Sequence, residues 1–269
     1  MKNTISMVDI GVNLSNKQFR DDVEGVLSRA KQASVDKLVL TGTSLEASTA
    51  VIELCDKFNA TFPDMLYATV GIHPHDADQL NDNSLSQLHT LAKHPKAVAI
   101  GETGLDFHRN LSPPSDQIRA FESQLELAAE LKMPVFMHER DAARRQLEIL
   151  RAYRDHFTQG VIHCFTGDRK TLFNYLDLDL HIGITGWICD ERRGLELQKL
   201  VANIPLNRLM VERDAPYLIP RTIQPPPTTR RNEPCHLAWV VKMISNLRDE
   251  PVDSVAEATS KTAQVFFNL

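Results

Sequence analysis

Short apolar runs rich in β-branched residues punctuate the chain: Met7–Ile10, Lys37–Leu40, Leu66–Gly71, Ala97–Ile100, Pro134–Met137, Val161–Cys164, His181–Thr185 and Leu209–Val211. Continuous runs of this length, rather than strict alternation, mark strands buried on both faces. The stretches between them carry helical spacing. Ala47, Val51, Leu54 and Phe58 recur on one helical face, and Phe121, Leu125 and Ala128 repeat the pattern further on. Thr43 with Glu46 predicts a capping box before the first of these, and Ser254 with Glu257 predicts one opening a last helix, Ser254–Phe266. Eight strands separated by helices predict an α/β fold, a (β/α)8 TIM barrel, as a single domain over residues 1–269. A doubly wound open sheet is the rival, and the two differ in whether strand eight meets strand one. Two segments break the rhythm. Trp187–Gly194 reads as a loop after the seventh strand. Pro220–Pro234 is too rich in proline for helix or central strand and reads as a loop over the barrel rim.

The runs end in a consistent way: Gly71-Ile-His73-Pro-His75, Gly101-Glu102, His138-Glu139-Arg140, His163-Cys164 and Glu212-Arg213-Asp214. In a barrel these ends face one mouth, where active sites are built. Singly, Glu102 and Asp214 read equally well as salt-bridged or turn acids, and His138 and His163 as packing histidines. Together, two carboxylates and two imidazoles on one face suit a divalent cation. His73 is placed as a hydrogen-bond donor to a substrate phosphate, and His75 as a structural rim residue. Asp106 is open between ordering its loop and orienting a ligand. Strand alternation turns Cys164 away from His163 and makes it a packing residue. Neither the glycine-rich phosphate cradles nor a nucleophile elbow occurs in the sequence.

Charge narrows the partner. Lys and Arg number 30 against 35 Asp and Glu, a net charge of -5. That argues against a broad basic face gripping duplex DNA. A single strand is the better partner: Trp187 is a candidate to stack on a base, and Arg140, Arg192, Arg193, Arg230 and Arg231 are candidates to meet backbone phosphates. The four cysteines form no CxxC pair, which fits a reducing compartment. The N-terminal stretch lacks the apolar core of a signal peptide, and no window approaches 18 apolar residues. These features predict a cytoplasmic monomer without stable membrane association.

The strings Gly71–His75, Gly101–Asp106, His138–Arg140, Val161–Gly167, Asp214–Tyr217 and Asn232–Pro234 run in one order over nearly the whole chain. In that order they resemble the TatD-type metal-dependent deoxyribonucleases of the amidohydrolase superfamily. The resemblance implies a (β/α)8 barrel that hydrolyses phosphodiesters with a divalent ion. Mg²⁺ comes first, with Mn²⁺ or Zn²⁺ as alternatives on ligand softness. It implies 3′–5′ exonuclease action on single-stranded DNA and, secondarily, on RNA 3′ ends. It implies Glu102, His138 and His163 as ligands of one metal and Asp214 as ligand or proton acceptor; together with His73, placed by its strand-end position, Glu102 and Asp214 make the expected catalytic set. Two positions depart from the family. Gly11 and Asn13 stand where it usually carries a His-x-His pair, so either one metal suffices or a second is completed by substrate phosphate. Arg213, where a smaller polar residue is common, either supplies positive charge near the site or points outward. Two other readings stay open: a small-molecule ester or amide hydrolase of the same superfamily, and a non-catalytic scaffold that retains the fold.

Overall fold

The computed structural model describes residues 5–220, 223, 229 and 231–269. Most of the proline-rich segment, including the candidate Arg230, lies outside the described residues. Eight parallel strands form one sheet in sequence order: β1 (Met7–Val12), β2 (Val35–Leu40), β3 (Leu66–Val70), β4 (Ala97–Asp106), β5 (Val135–Arg140), β6 (Gly160–Ile162), β7 (His181–Ile184) and β8 (Leu209–Val211). Sequential order excludes a doubly wound sheet, in which strand order reverses at a switch point. The ends meet just past β8, where Val12 bridges Ala215 in parallel. There the Asn13 N–H donates to Ala215 O at 2.8 Å, and the Asp214 N–H to Gly11 O at 2.8 Å. The expected (β/α)8 barrel is therefore the observed one.

Around it run α1 (Val23–Gln32), α2 (Leu45–Phe58), α3 (Asp82–Ala92), α4 (Pro114–Leu131), α5 (Ala143–Tyr153), α6 (Arg169–Asp177), α7 (Leu195–Leu200), α8 (Leu237–Arg248) and α9 (Val252–Phe267). Val8, Ile10, Val39, Ala99, Phe136 and Met210 form an inner core, and Phe266 and Phe267 of α9 pack against it. A second, larger core lies between sheet and helices. Burial on both faces is why the strands read as apolar runs. Among the described residues no helix is long and apolar enough to cross a membrane.

Several expected boundaries shift. Ser44, not Thr43, caps α2 by accepting the Ala47 N–H at 3.1 Å. The last helix starts two residues before Ser254, directly after Pro251, whose fixed φ suits a helix entrance. The segment after β7 opens with a 3-10 turn, Gly186–Cys189, on the Thr185 hydroxyl. β4 and β5 continue past the predicted ends, so Glu102, His138 and Arg140 lie within strands rather than beyond them.

His181, at the start of β7, is buried edge-on against Phe266 with its Nδ1 unpartnered. Burial, reinforced by the Arg208 charge, lowers its pKa to about 4 from 6.5. Between those two values the unfolded chain binds the proton and the folded chain does not. Stability is thus full above about pH 6.5 and is lost as pH falls toward 4, by up to roughly 3 kcal/mol for this group. Urea unfolding at pH 7.5 and 4.5 is expected to show a smaller acid loss for His181→Gln than for the unmodified protein; equal losses would assign the acid sensitivity elsewhere.

Candidate active site

Glu102 reaches the mouth because β4 is irregular there. Its pairing with β5 slips between Ile100 and Thr103, a bulge that re-aims the chain. Gly101 carries the distortion at φ +143°, where a Cβ would lie 2.1 Å from Phe136 O. The Glu102 N–H is anchored on Gly42 O at 2.7 Å. The carboxylate is 5% exposed. Its Oε1 lies 2.7 Å from His163 Nε2, 3.0 Å from His138 Nδ1 and 3.3 Å from His73 Nε2.

The other nitrogen of each ring fixes what that ring can do. His163 Nδ1 faces Glu212 Oε2 at 3.3 Å, so Glu212 holds that proton, and the Nε2 that here donates to Glu102 is the nitrogen that would turn its lone pair to an ion on losing its proton. His138 Nε2 faces Asp106 Oδ2 at 3.3 Å, which leaves Nδ1 to do the same. Asp106 is itself held by His75 Nε2 at 2.8 Å. These are carboxylate–histidine pairs of the kind that orient metal ligands. His73 is the exception. Its Nδ1 accepts the His75 N–H at 3.0 Å, so Nε2 bears the proton and acts as a donor.

The electrostatics follow. Burial opposes ionisation of Glu102, but the charges of His163 and His73 and the hydrogen bonds from His138 and His163 hold it well below the usual carboxylate range. Burial disfavours charge on His163, yet Glu102 and Glu212 raise it well above the ordinary imidazole value. Asp106 and Glu102 raise His138 against the same penalty. Burial lowers His73 to about 4 despite Glu102. Asp214 is pushed up to about 7 by burial, with His163 and Asn13 pulling it down and Glu212 and Glu102 pushing it up. Asn13 Nδ2 donates to its Oδ1 at 2.9 Å. One carboxylate and two imidazoles whose inward nitrogens can exchange a proton for an ion fit a divalent cation. Among the described residues, the set whose ligand atoms lie within 4.8 Å of one another is instead His73, Glu102 and His138, which His73 joins only by giving up its Nε2 proton; His163 Nε2, at 2.7 Å from the same carboxylate oxygen, keeps its outer nitrogen on Glu212 and is the better-prepared ligand.

His73, Glu102, His138, His163 and Asp214, with Arg140 and Trp187, share the wall of a cavity of about 550 Å³. A branch of about 340 Å³ leaves it between Arg140, Trp187 and Arg193, with the Arg193 guanidinium over the indole at 5.4 Å. Three expectations are corrected. The Arg231 guanidinium is engaged by Asp22 and Glu233, each at 2.6 Å, and by Gln18 O at 2.9 Å, so it clamps the start of α1 instead of facing the mouth. Arg192 is exposed and lines neither space. Cys164 adopts φ +46°, which breaks strand alternation and puts it on the cavity wall. Burial, with Asp214 and Glu212 nearby, raises its thiol pKa far above neutrality, so it is no nucleophile. Arg213 is fully buried and donates to Asn232 Oδ1 at 2.7 Å.

Glu212 was not foreseen, although a signal existed. Side chains alternate along a strand, so a residue two past the inward Met210 also faces inward. Fully buried, it accepts the Cys164 N–H and orients His163. It also borders Gly11. A Cβ at that position would lie 2.2 Å from Glu212 Oε2, so the carboxylate as placed here occupies the space of a side chain at position 11 and would have to turn aside for one. The roles of Asp106 and His75, left open or structural in the sequence, depend on contacts made 31 residues apart.

Residues 8–268 match the family described as TatD related DNase. The chain belongs to that family. A protein of Pectobacterium parmentieri described as a 3′-5′ ssDNA/RNA exonuclease TatD is 48% identical over 263 residues, covering 98% of this chain and 100% of the relative. One of Salmonella typhimurium with the same description is 44% identical, covering 98% and 99%. The crystal structure of a TatD homologue from Escherichia coli superposes with a TM-score of 0.87 at 29% identity, covering 98% of each chain. A TatD family hydrolase from Entamoeba histolytica has a TM-score of 0.88 at 23% identity, covering 98% of each, and speaks to the fold alone. With the His/His/Glu cluster at its mouth, this barrel is a metal-dependent hydrolase of nucleic acids.

Proposed function

We propose that this chain is a metal-dependent 3′–5′ exonuclease that removes nucleotides from single-stranded DNA and, secondarily, from RNA 3′ ends, working as a cytoplasmic monomer. The observation that carries the reading is Glu102 with three imidazoles around one carboxylate oxygen, in a cavity that Asp214 also lines. Curated relatives at 44–48% identity carry that description. Glu102, His138 and His163 would hold the ion, with Asp214 beside them. Mg²⁺ is our first choice and Mn²⁺ or Zn²⁺ the alternatives, since two imidazoles favour the softer ions. The ion supplies Lewis-acid polarisation of the phosphodiester. Asp214, held by Asn13, takes the proton of the attacking water. His73 donates a hydrogen bond from its Nε2–H to a phosphoryl oxygen on which charge develops and keeps its proton. An open cavity with a side branch bearing indole and guanidinium suits a strand better than a small ester or amide.

The test is digestion of 5′-labelled single-stranded and blunt duplex DNA, and of matched RNA, with Mg²⁺, Mn²⁺ or Zn²⁺ and with chelator. Stepwise shortening from the 3′ end of single strands, abolished by chelator, is expected. Faster cleavage of duplex, or turnover that survives chelation, would refute the reading. Trp187 lines both the main cavity and its branch. Trp187→Ala is expected to raise KM for single strands by roughly 5- to 100-fold, the range of one lost base stack. Unchanged single-strand kinetics would remove that role and leave the metal chemistry standing.

A further inference from the structure

Tyr217 is not used by the chemistry above, yet it is one of the few large hydrophobic side chains left exposed among the described residues, at 50%. It lines the same 550 Å³ cavity as Glu102 and Asp214. It stands three positions past Asp214, and its N–H donates to Asp214 O at 2.9 Å. The residue is held at its phenolic oxygen and at its backbone. Asn16 Nδ2 donates to the phenolic oxygen at 3.1 Å. Asn232 Nδ2 donates to the Tyr217 carbonyl at 2.6 Å, and the fully buried Arg213 in turn grips Asn232 at 2.7 Å. An aromatic left in solvent forgoes burial. One held in place there offers a rigid apolar face at little cost in conformational entropy.

Resting on the nuclease reading, we infer that Tyr217 is a second stacking platform, which takes the face of an unpaired nucleobase in the main cavity while Trp187 serves the branch. The branch and the main cavity share Trp187, His138 and His163 in their walls. A strand with its scissile phosphate at Glu102 therefore has an aromatic face available in each space. Stacking needs an unpaired base and is indifferent to which base it is. Tyr217 thus selects single strands without selecting sequence. Arg213 acts through Asn232 to hold the Tyr217 backbone, and is a positioning residue only.

The test pairs variants with modified substrates. Steady-state kinetics use short oligodeoxyadenylates at saturating Mg²⁺ or Mn²⁺, with an abasic spacer walked through each position. Tyr217→Ala is expected to raise KM on the full-base oligomer by roughly 5- to 100-fold with kcat changed far less. Tyr217→Phe, which keeps the ring and loses the Asn16 bond, is expected to behave as the unmodified protein. At one position the spacer is expected to weaken the unmodified protein by the same factor, with no further loss in Tyr217→Ala, as two changes that remove one contact must. Multiplying losses at every position, or a Tyr217→Phe defect as large as that of Tyr217→Ala, would overturn the platform and make Tyr217 a brace for the β1 loop. Should Tyr217→Ala fail to fold, the Phe variant and the spacer walk decide alone: a spacer without effect at any position overturns the proposal. An unmodified protein that cleaves no oligomer with any of these ions overturns the nuclease reading itself.

Discussion

Glu102→Gln is expected to lower kcat by about 10³-fold or more while the protein still folds. The substitution keeps shape and hydrogen-bonding atoms but removes the one charge on which three imidazoles converge. A neutral amide oxygen is a poor ligand for a divalent ion, and the electrostatic work of a metal site is worth several kcal/mol in the transition state. Removing one partner of a buried ionic cluster costs about 3–5 kcal/mol when the remaining charge cannot adjust, but the imidazoles left behind can shed their protons, so no uncompensated charge stays buried and the fold survives. Calorimetric titration with Mn²⁺ and a thermal melt on the same preparation separate the two effects. Weak or absent metal binding with a melting temperature within a few degrees of the unmodified protein is the expected pair of results. Parallel loss of fold and activity would make Glu102 a structural acid.

Asp214→Asn is expected to cost about 10²- to 10⁴-fold in kcat, the usual range for a lost general base, with KM for single-stranded DNA little changed. The amide retains an oxygen for the Asn13 donor, so the loop geometry survives. What it cannot do is take a proton. The carboxylate suits that task because Asn13 holds it in the wall of the cavity that Glu102 shares. Single-turnover rates at fixed pH check this directly. A loss below about tenfold would move the proton acceptor elsewhere in the cavity and leave Asp214 as a ligand or a loop acid.

Much of this molecule is legible without coordinates. Eight runs apolar on both faces require eight strands covered on both sides, and the intervening helical spacing supplies the cover. Polar residues that recur at strand ends require one polar mouth, which is how Glu102, His138, His163, His73 and Asp214 are found together. Those signals are local, because the period of a strand and the chemistry of its last residue are written in neighbouring positions. Closure of the barrel is not local. It rests on the Val12–Ala215 bridge between residues 203 apart, and no pattern along the chain reports it. The same holds for arginines. Arg231 and Arg193 are equally basic in sequence, but only folding brings Asp22 to the first and an indole to the second. That the Glu212 carboxylate fills the space beside Gly11 is likewise visible only in the fold. What the sequence by itself determined is the order of elements and the chemistry offered at one end of them. What only the tertiary structure decided is which charges are consumed by partners distant in the chain and which stay free for substrate, because that choice depends on contacts made after the chain has closed.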